Sequence, residues 1–316
     1  MNIVIFTILI ISSLIFTNDI SGVTYFNYSY DTGFGIKRTY FTYKKQISDE
    51  LSFKFQTDVG QPEGNSGDDA DDRWWGYLKK AQLDWKVSDD MKVSMGLIGM
   101  NMFNVQEKTW GNRFVEKTAL DYAGWGVAAA DMGIGFSKSF GNIASSLFLT
   151  NGEGYKNSNV DNHQKLSLQI LHGEKRLDKN SGYNVGLVYS VMLEENHSSV
   201  SGVFGGWSTG SFVAGFEYYN RGDSFFVNYD SSLISLSMNY DVSDIVNEIK
   251  GQVRKNDYLS FFVRIDSFDD AQNPEDVDIT MAGFIWSPVE GLDICPNITQ
   301  VSNEDEVFAV NFQFKF

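Results

Sequence analysis

Cysteine is almost missing from this chain. Cys295 stands alone among 316 residues, which excludes an internal disulfide framework. Positive charge is scarce and arrives late. No Lys or Arg precedes Lys37, and acids outnumber bases 41 to 25 for a formal charge of −16. That balance excludes nucleic acid as an expected partner and suits a surface coated in divalent cations. Histidine is limited to His163, His172 and His197, none beside a Ser/Asp constellation. Hydrolysis by a side-chain nucleophile needs an oriented base, so catalysis is not expected. Apolar runs are absent beyond residue 16, so no later segment can cross a bilayer as a helix. A chain that spans a membrane without helices must do so as a closed barrel, because backbone groups in lipid have to pair internally.

The one apolar run present, Ile3 to Phe16, is fourteen residues long. It is short for a span of ~20 residues and sits where a secretory leader's apolar region belongs. Small residues Ser21 and Gly22 close the polar stretch behind it, which predicts a leader over 1–22 and a mature domain over 23–316. An uncleaved anchor helix is the alternative.

At the other end the chain alternates. Phe308, Val310, Phe312, Phe314 and Phe316 share one parity; Ala309, Asn311, Gln313 and Lys315 share the other. Successive strand side chains point to opposite faces, so the last segment has an aromatic face and a polar face. Four prolines, twenty-nine glycines and 15% aromatic residues suit a mostly β protein with many tight bends. Segments of roughly ten residues recur between turn signals, the length of a transmembrane strand. They fall at about 23–30, 36–47, 51–60, 76–87, 91–100, 131–140, 143–150, 163–172, 183–192, 200–207, 211–219, 231–241, 257–267, 277–286, 290–300 and 306–316. Segments 36–47 and 131–140 alternate poorly, and glycine replaces side chains along the second.

The links between segments alternate in length. Ser48-Asp49-Glu50, Ser88-Asp89-Asp90, Phe140-Gly141-Asn142, Ser208-Thr209-Gly210 and Pro288-Val289-Glu290 are short; 61–75, 101–130, 151–162, 220–230 and 267–276 are long. Links 173–182 and 242–256 are longer than their set, and Ile245, Val246 and Ile249 at helical spacing suggest a short helix in the second. The pattern predicts an all-β fold: a transmembrane antiparallel β-barrel of about 16 strands in the outer membrane of a Gram-negative-type bacterium. A soluble β-sandwich would show the same alternation, but would leave the leader and the terminal phenylalanine as coincidences. Trp85 and Trp286, near strand ends, suit an interfacial girdle; Trp110 and Trp125 fall in the longest link and are expected to pack within it.

Several motifs carry a family resemblance. Residues 79–93 (KKAQLDWKVSDDMKV), Trp110 to Lys117 (WGNRFVEK), Ala130 to Gly133 (ADMG), Asn151 to Lys156 (NGEGYK) and Gly291 to Asn297 (GLDICPN) resemble, in order and spacing, porins of the phosphate-selective porin O and P family. The resemblance spans nearly the whole mature chain. It implies a sixteen-stranded outer-membrane porin, commonly a homotrimer, without a cofactor and inserted by the barrel assembly machinery. Phosphate-selective members line their pore with a ladder of lysines and arginines, and here the sequence departs. Bases at lumen parity are few: Lys54, Lys80, Lys86, Lys92, Lys165, Arg264 and Lys315, interleaved with Asp58, Asp84 and Asp266. Phosphate selectivity is therefore not carried over.

The link 101–130 follows the fifth strand. In sixteen-stranded porins a loop there commonly folds into the lumen, so the resemblance implies a constriction built from Glu107, Lys108, Arg113, Glu116, Lys117 and Asp121. Mixed charges at such a place set ion preference at close range; the plainer alternative is an extracellular loop with solvated charges. Acid-dense stretches at Asp68 to Asp72 and between Asp266 and Asp278 lack calcium-loop spacing and are read as solvated. Together these features predict passive diffusion of small hydrophilic solutes or ions, with weak cation preference or little selectivity. The competing readings are a surface-binding barrel with a plugged lumen and, as an outsider, an outer-membrane hydrolase.

Overall fold

The computed structural model describes residues 18–60, 74–157, 162–193, 198–222, 229–243, 258–270 and 276–316. The segment before Asn18, the acidic stretch Asp68 to Asp72, Glu275, His197 and the expected helix near Ile245 lie outside the described residues.

Sixteen strands are present: β1 (Asn18–Ser29), β2 (Gly33–Gln46), β3 (Leu51–Gly60), β4 (Trp75–Lys86), β5 (Met91–Gly99), β6 (Ala130–Phe140), β7 (Ile143–Thr150), β8 (Lys165–Gly173), β9 (Gly182–Met192), β10 (Ser199–Ser208), β11 (Phe212–Gly222), β12 (Tyr229–Asp241), β13 (Tyr258–Asp270), β14 (Val277–Val289), β15 (Leu292–Val301) and β16 (Val307–Lys315). Each pairs antiparallel with its neighbours in the chain, and β16 pairs with β1 to close the barrel.

The faces are reversed relative to a soluble protein. Phe41, Leu147, Leu187, Leu236, Ile265, Phe284 and Phe314 are exposed on the outside, whereas Thr42, Ser94, Ser167, Asn184, Ser235 and Asn311 are buried inside. A large exposed apolar surface needs a partner. One that runs around a closed barrel is covered by lipid, so these strands span a membrane. Trp85 and Trp286 are exposed on that surface near strand ends, and Trp110 and Trp125 are buried in the loop after β5.

One barrel end carries the short turns. At the β2–β3 turn, Ser48 Oγ accepts from the amides of Glu50 and Leu51 at 3.3 and 3.1 Å. The serine hydroxyl thus closes the hairpin locally. The chain's last residue lies at the same end. Gly22 and Phe316 exchange two backbone hydrogen bonds, 2.9 and 3.1 Å, and Phe26 stacks on Phe312 with centroids 4.4 Å apart. Strand β1 is formed from Asn18, so cleavage after Gly22 would remove the pairing partner of Phe316.

Both poorly alternating segments have a structural cause. In β6, Gly135 lies directly under the ring of Phe148, and Gly133 is held against the backbone of Leu149 and Thr150. No side chain fits at either place. In β2 the pairing with β1 shifts between Tyr25 and Phe26: Tyr25 faces Arg38 and Phe26 faces Ile36, leaving Lys37 as the extra residue of a β-bulge.

Candidate pore constriction

The segment between β5 and β6 lies inside the barrel. It carries two short helices, α1 (Asn104–Trp110) and α2 (Ala119–Ala123). Helix α1 stops at Gly111, whose φ of 74° only glycine adopts freely. Thr118 caps α2 by accepting from the Asp121 amide at 3.4 Å.

Apolar side chains hold the loop to one side of the wall. Val105, Trp110, Phe114, Val115 and Leu120 pack in one buried cluster with Phe204, Tyr219, Leu233, Phe262, Ile279 and Met281, and Trp110 meets Phe262 edge-on at 5.5 Å. Thr109 drops into a notch formed by the cross-strand pair Gly206 and Gly215. A Cβ would sit 2.7 Å from Thr109 Cγ2 at Gly206 and 3.0 Å at Gly215.

Buried loop carbonyls need donors, and wall side chains supply them. Gln169 donates to Asn101 O (2.6 Å), Asn239 to Trp110 O (3.1 Å), Asn311 to Phe114 O (2.9 Å), Lys37 to Val115 O (2.8 Å), Arg264 to Lys117 O (2.5 Å) and Lys165 to Gly126 O. The donors come from β2, β8, β12, β13 and β16. The loop is therefore held to the inner wall from β8 round through β16 to Lys37 of β2, and its charged edge faces β3 to β5 and the rest of β2.

That edge centres on Arg113. Its Nε lies 3.6 Å from Glu107 and its Nη2 3.4 Å from Asp121; Glu107 also pairs with Lys108 at 3.6 Å. Burial opposes the charge on Arg113, but Tyr40, Asp121 and Glu107 outweigh it and hold the guanidinium's pKa above its ordinary value. The Glu116 carboxylate accepts from the Lys117 amide at 2.8 Å. Burial pushes the Asp121 carboxyl above the usual carboxylate range, against the pull of Arg113 and Lys117. On acidification Asp121 should thus take up a proton before exposed acids do, and Arg113 loses a counter-charge. The expected result is a reversal potential that moves toward anions in mild acid. Asp121→Asn should flatten that dependence, and an unchanged profile in this variant would contradict the assignment.

The opposing wall is basic, through a device the spacing hid. A second pairing shift, between Gln56 and Thr57, pairs Gln56 with Lys80 and Thr57 with Leu78, so Lys79 is a bulged residue. Adjacent strand residues normally face opposite ways. The two bulges turn both members of Lys37-Arg38 and of Lys79-Lys80 inward. With Lys44 and Lys54, paired directly across β2 and β3, they give six bases on the inner face of β2 to β4. Like charges directly opposite are destabilising, so stability alone does not account for this wall. Asp58 partly balances it: Arg38 lies 3.2 Å away, Lys79 3.7 Å, and Tyr155 donates to the same Oδ2 at 2.5 Å.

The residues singled out from the sequence therefore separate. Glu107, Lys108, Arg113, Glu116, Lys117 and Asp121 come together on the inner loop. Lys54 and Lys80 point inward and have no ion-pair partner among the described residues. Asp84 points inward, holds Lys92 at 3.3 Å and accepts from Ser94 at 2.5 Å. Lys86 and Lys315 lie at the short-turn rim, paired with Asp89 (2.6 Å) and Asp293 (3.2 Å). Four expectations need correction. Arg264, Asp266 and Lys165 point inward but lie under the loop, where Arg264 and Asp266 form a buried pair at 2.6 Å. Asp58 is fully buried by its three partners. These four anchor or neutralise and do not line water. Sequence reasoning missed Lys37, Arg38, Lys44 and Lys79. Lys37-Arg38 and Lys79-Lys80 carried a partial signal, since a strict strand would turn one base of each pair outward, as Lys44-Lys45 does near the short-turn end.

Cavities lie on both sides of the loop. One of about 620 Å³ and one of about 200 Å³ open toward the long-loop end and share Arg38, Arg113 and Lys117. A third, about 250 Å³, opens toward the short turns between Gln82, Lys92, Asn101 and Gln169.

No family model and no curated protein matches this sequence. Solved structures do match. The in-vitro folded, trimeric form of OmpT, an outer membrane protein of Vibrio cholerae, superposes with a TM-score of 0.62 at 13% identity, over 95% of this chain and 99% of that one. A mutant of the Rh. blastica porin gives 0.57 at 12% identity, over 96% and 100%. At such identities the likeness establishes the fold: the chain has the barrel architecture of outer-membrane proteins of this kind.

Proposed function

We propose that the protein is an outer-membrane porin through which small hydrophilic solutes and ions diffuse down their gradients. One observation carries this reading. The inner loop is fastened to the wall from β8 round through β16 to Lys37 of β2, and its charged edge faces the inward bases of β3 and β4 across a gap flanked by cavities. A plugged barrel has no need of the inward bases Lys54 and Lys80. The likeness to the Rh. blastica porin supports the same function, and the trimeric form of the Vibrio cholerae protein supports a homotrimer.

The selectivity proposed differs from the expectation of weak cation preference. Among the described residues, most acids lie away from the gap. At the gap itself Lys37, Arg38, Lys54, Lys79, Lys80 and Arg113 outweigh Asp58, Glu107 and Asp121, so the channel leans toward anions. The resemblance to the phosphate-selective family supports that direction without fixing phosphate as the solute. A secretory leader, insertion by the barrel assembly machinery, a Gram-negative envelope, homotrimerisation and absence of catalysis belong to the same proposal. Purified protein in a planar bilayer tests it. Stepwise conductance is expected; a folded, inserted protein that conducts nothing would favour the plugged, surface-binding barrel.

A further inference from the structure

We propose that the long-loop side of the constriction binds small carboxylates that carry an aromatic ring. This rests on the channel reading and names the solute class the site recognises. The smaller outer cavity, about 200 Å³, is lined by Arg38, Lys79, Arg113, Lys117 and Lys156 against Asp121 and Glu153, with Tyr155 among them. With Asp58 and Glu107, which pair with Arg38, Lys79 and Arg113, five bases stand against four acids, and the excess favours an anion. Two of the bases are guanidiniums, whose planar forks match a carboxylate.

Aromatic rings lead into this cavity along the inner face of β4. Trp75 pairs with Gly60 and Tyr77 with Asp58, so both share the inward parity. Their rings lie 6.3 Å apart and 21° from parallel. Tyr77 meets the edge of Tyr155 at 6.3 Å and 86°. Lys156 stands 5.8 Å over the Tyr77 ring, and Lys79 lies 5.1 Å over Tyr155 and 4.4 Å over Tyr40. The hydrogen bond from Tyr155 to Asp58 fixes its ring. Trp75 is 45% exposed at the outer end. Rings and cations therefore alternate from the mouth to the constriction.

A purely electrostatic site for inorganic anions gains nothing from a row of rings. An uncharged sugar could use the rings but gains little from a basic excess. A flat, ring-bearing monoanion uses both: its ring stacks beside Trp75 and Tyr77 while its carboxylate engages Arg38, Lys79 and Arg113.

Binding is measured on detergent-purified full-length protein by titration calorimetry, with benzoate, acetate, inorganic phosphate, phenol and maltose as probes. Benzoate should bind about tenfold more tightly than acetate, a ring-stacking increment, and more tightly than phosphate, phenol or maltose. Replacing Trp75 and Tyr77 by alanine should reduce benzoate to the acetate level and leave acetate unchanged. Lys79→Met should weaken benzoate and acetate together. Equal binding of benzoate and acetate, or phosphate or phenol binding as well as benzoate, would overturn the proposal. Because the readout is binding, its failure is separable from failure of the channel reading. Protein that conducts but does not discriminate loses only this inference; protein that binds benzoate but does not conduct loses only the channel.

Discussion

Replacing Lys54 and Lys80 together by glutamate will invert the charge preference of the channel. Both side chains face inward from β3 and β4, opposite the loop edge, and neither has an ion-pair partner among the described residues. Their charge is therefore directed at passing ions. In water a unit charge about 5 Å away contributes roughly 0.8 kcal/mol. Reversing two such charges shifts the anion–cation difference by several times that amount before screening, and a tenfold change in permeability ratio needs about 1.4 kcal/mol. The effect is read as the sign of the reversal potential across a potassium chloride gradient. Lys45→Glu is the control: Lys45 lies on the opposite parity of β2, paired with Phe53, and is exposed. Inversion by the control, or none by the double variant, would show that the β2–β4 wall does not set selectivity.

The second large effect concerns the seat of the loop. Gly206 and Gly215 face each other across β10 and β11, and Thr109 of α1 fills the space they leave. Leucine at Gly215 would occupy that space and push α1 from the wall. Val105, Trp110, Phe114 and Leu120 lose their partners with it, at about 1.5–3 kcal/mol for each side chain fully exposed. The barrel's hydrogen-bonded strands are separate from this seat, so the fold should persist while the loop loosens. Single-channel conductance should rise severalfold and discrimination between ions should fall. Asn184→Ala, which removes a 3.3 Å hydrogen bond to Thr109 and a 3.0 Å one to the Glu174 carbonyl but inserts no bulk, should do much less. Unchanged conductance in Gly215→Leu would mean that the loop does not limit the pore.

How much of this was legible beforehand varies with the physics of each part. The sixteen strands were, because inward-polar and outward-apolar alternation is imposed on every strand that separates water from lipid. Leu51–Gly60 and Ile143–Thr150 coincide with their expected bounds. Turns such as Ser48 to Glu50 were legible because their chemistry is local. The basic wall was not, because a β-bulge moves one residue out of step and parity counting then fails. Lys79 falls off the lumen parity that Lys80 keeps, and it is inside because of a pairing with β3 that only the folded sheet fixes. The roles of Arg264 and Lys165 were hidden for a related reason. Their inward direction was predictable, but which inward residues lie under the loop depends on where α1 docks. That site is chosen by two glycines and a set of aromatics more than ninety residues downstream.

Purified protein in a planar bilayer, under a potassium chloride gradient at neutral pH, gives the most direct test. If the loop-lined gap and its basic wall form the selective passage, the protein conducts and its reversal potential lies on the anion side of zero. A clear cation preference, or no conductance from correctly folded protein, would contradict that account.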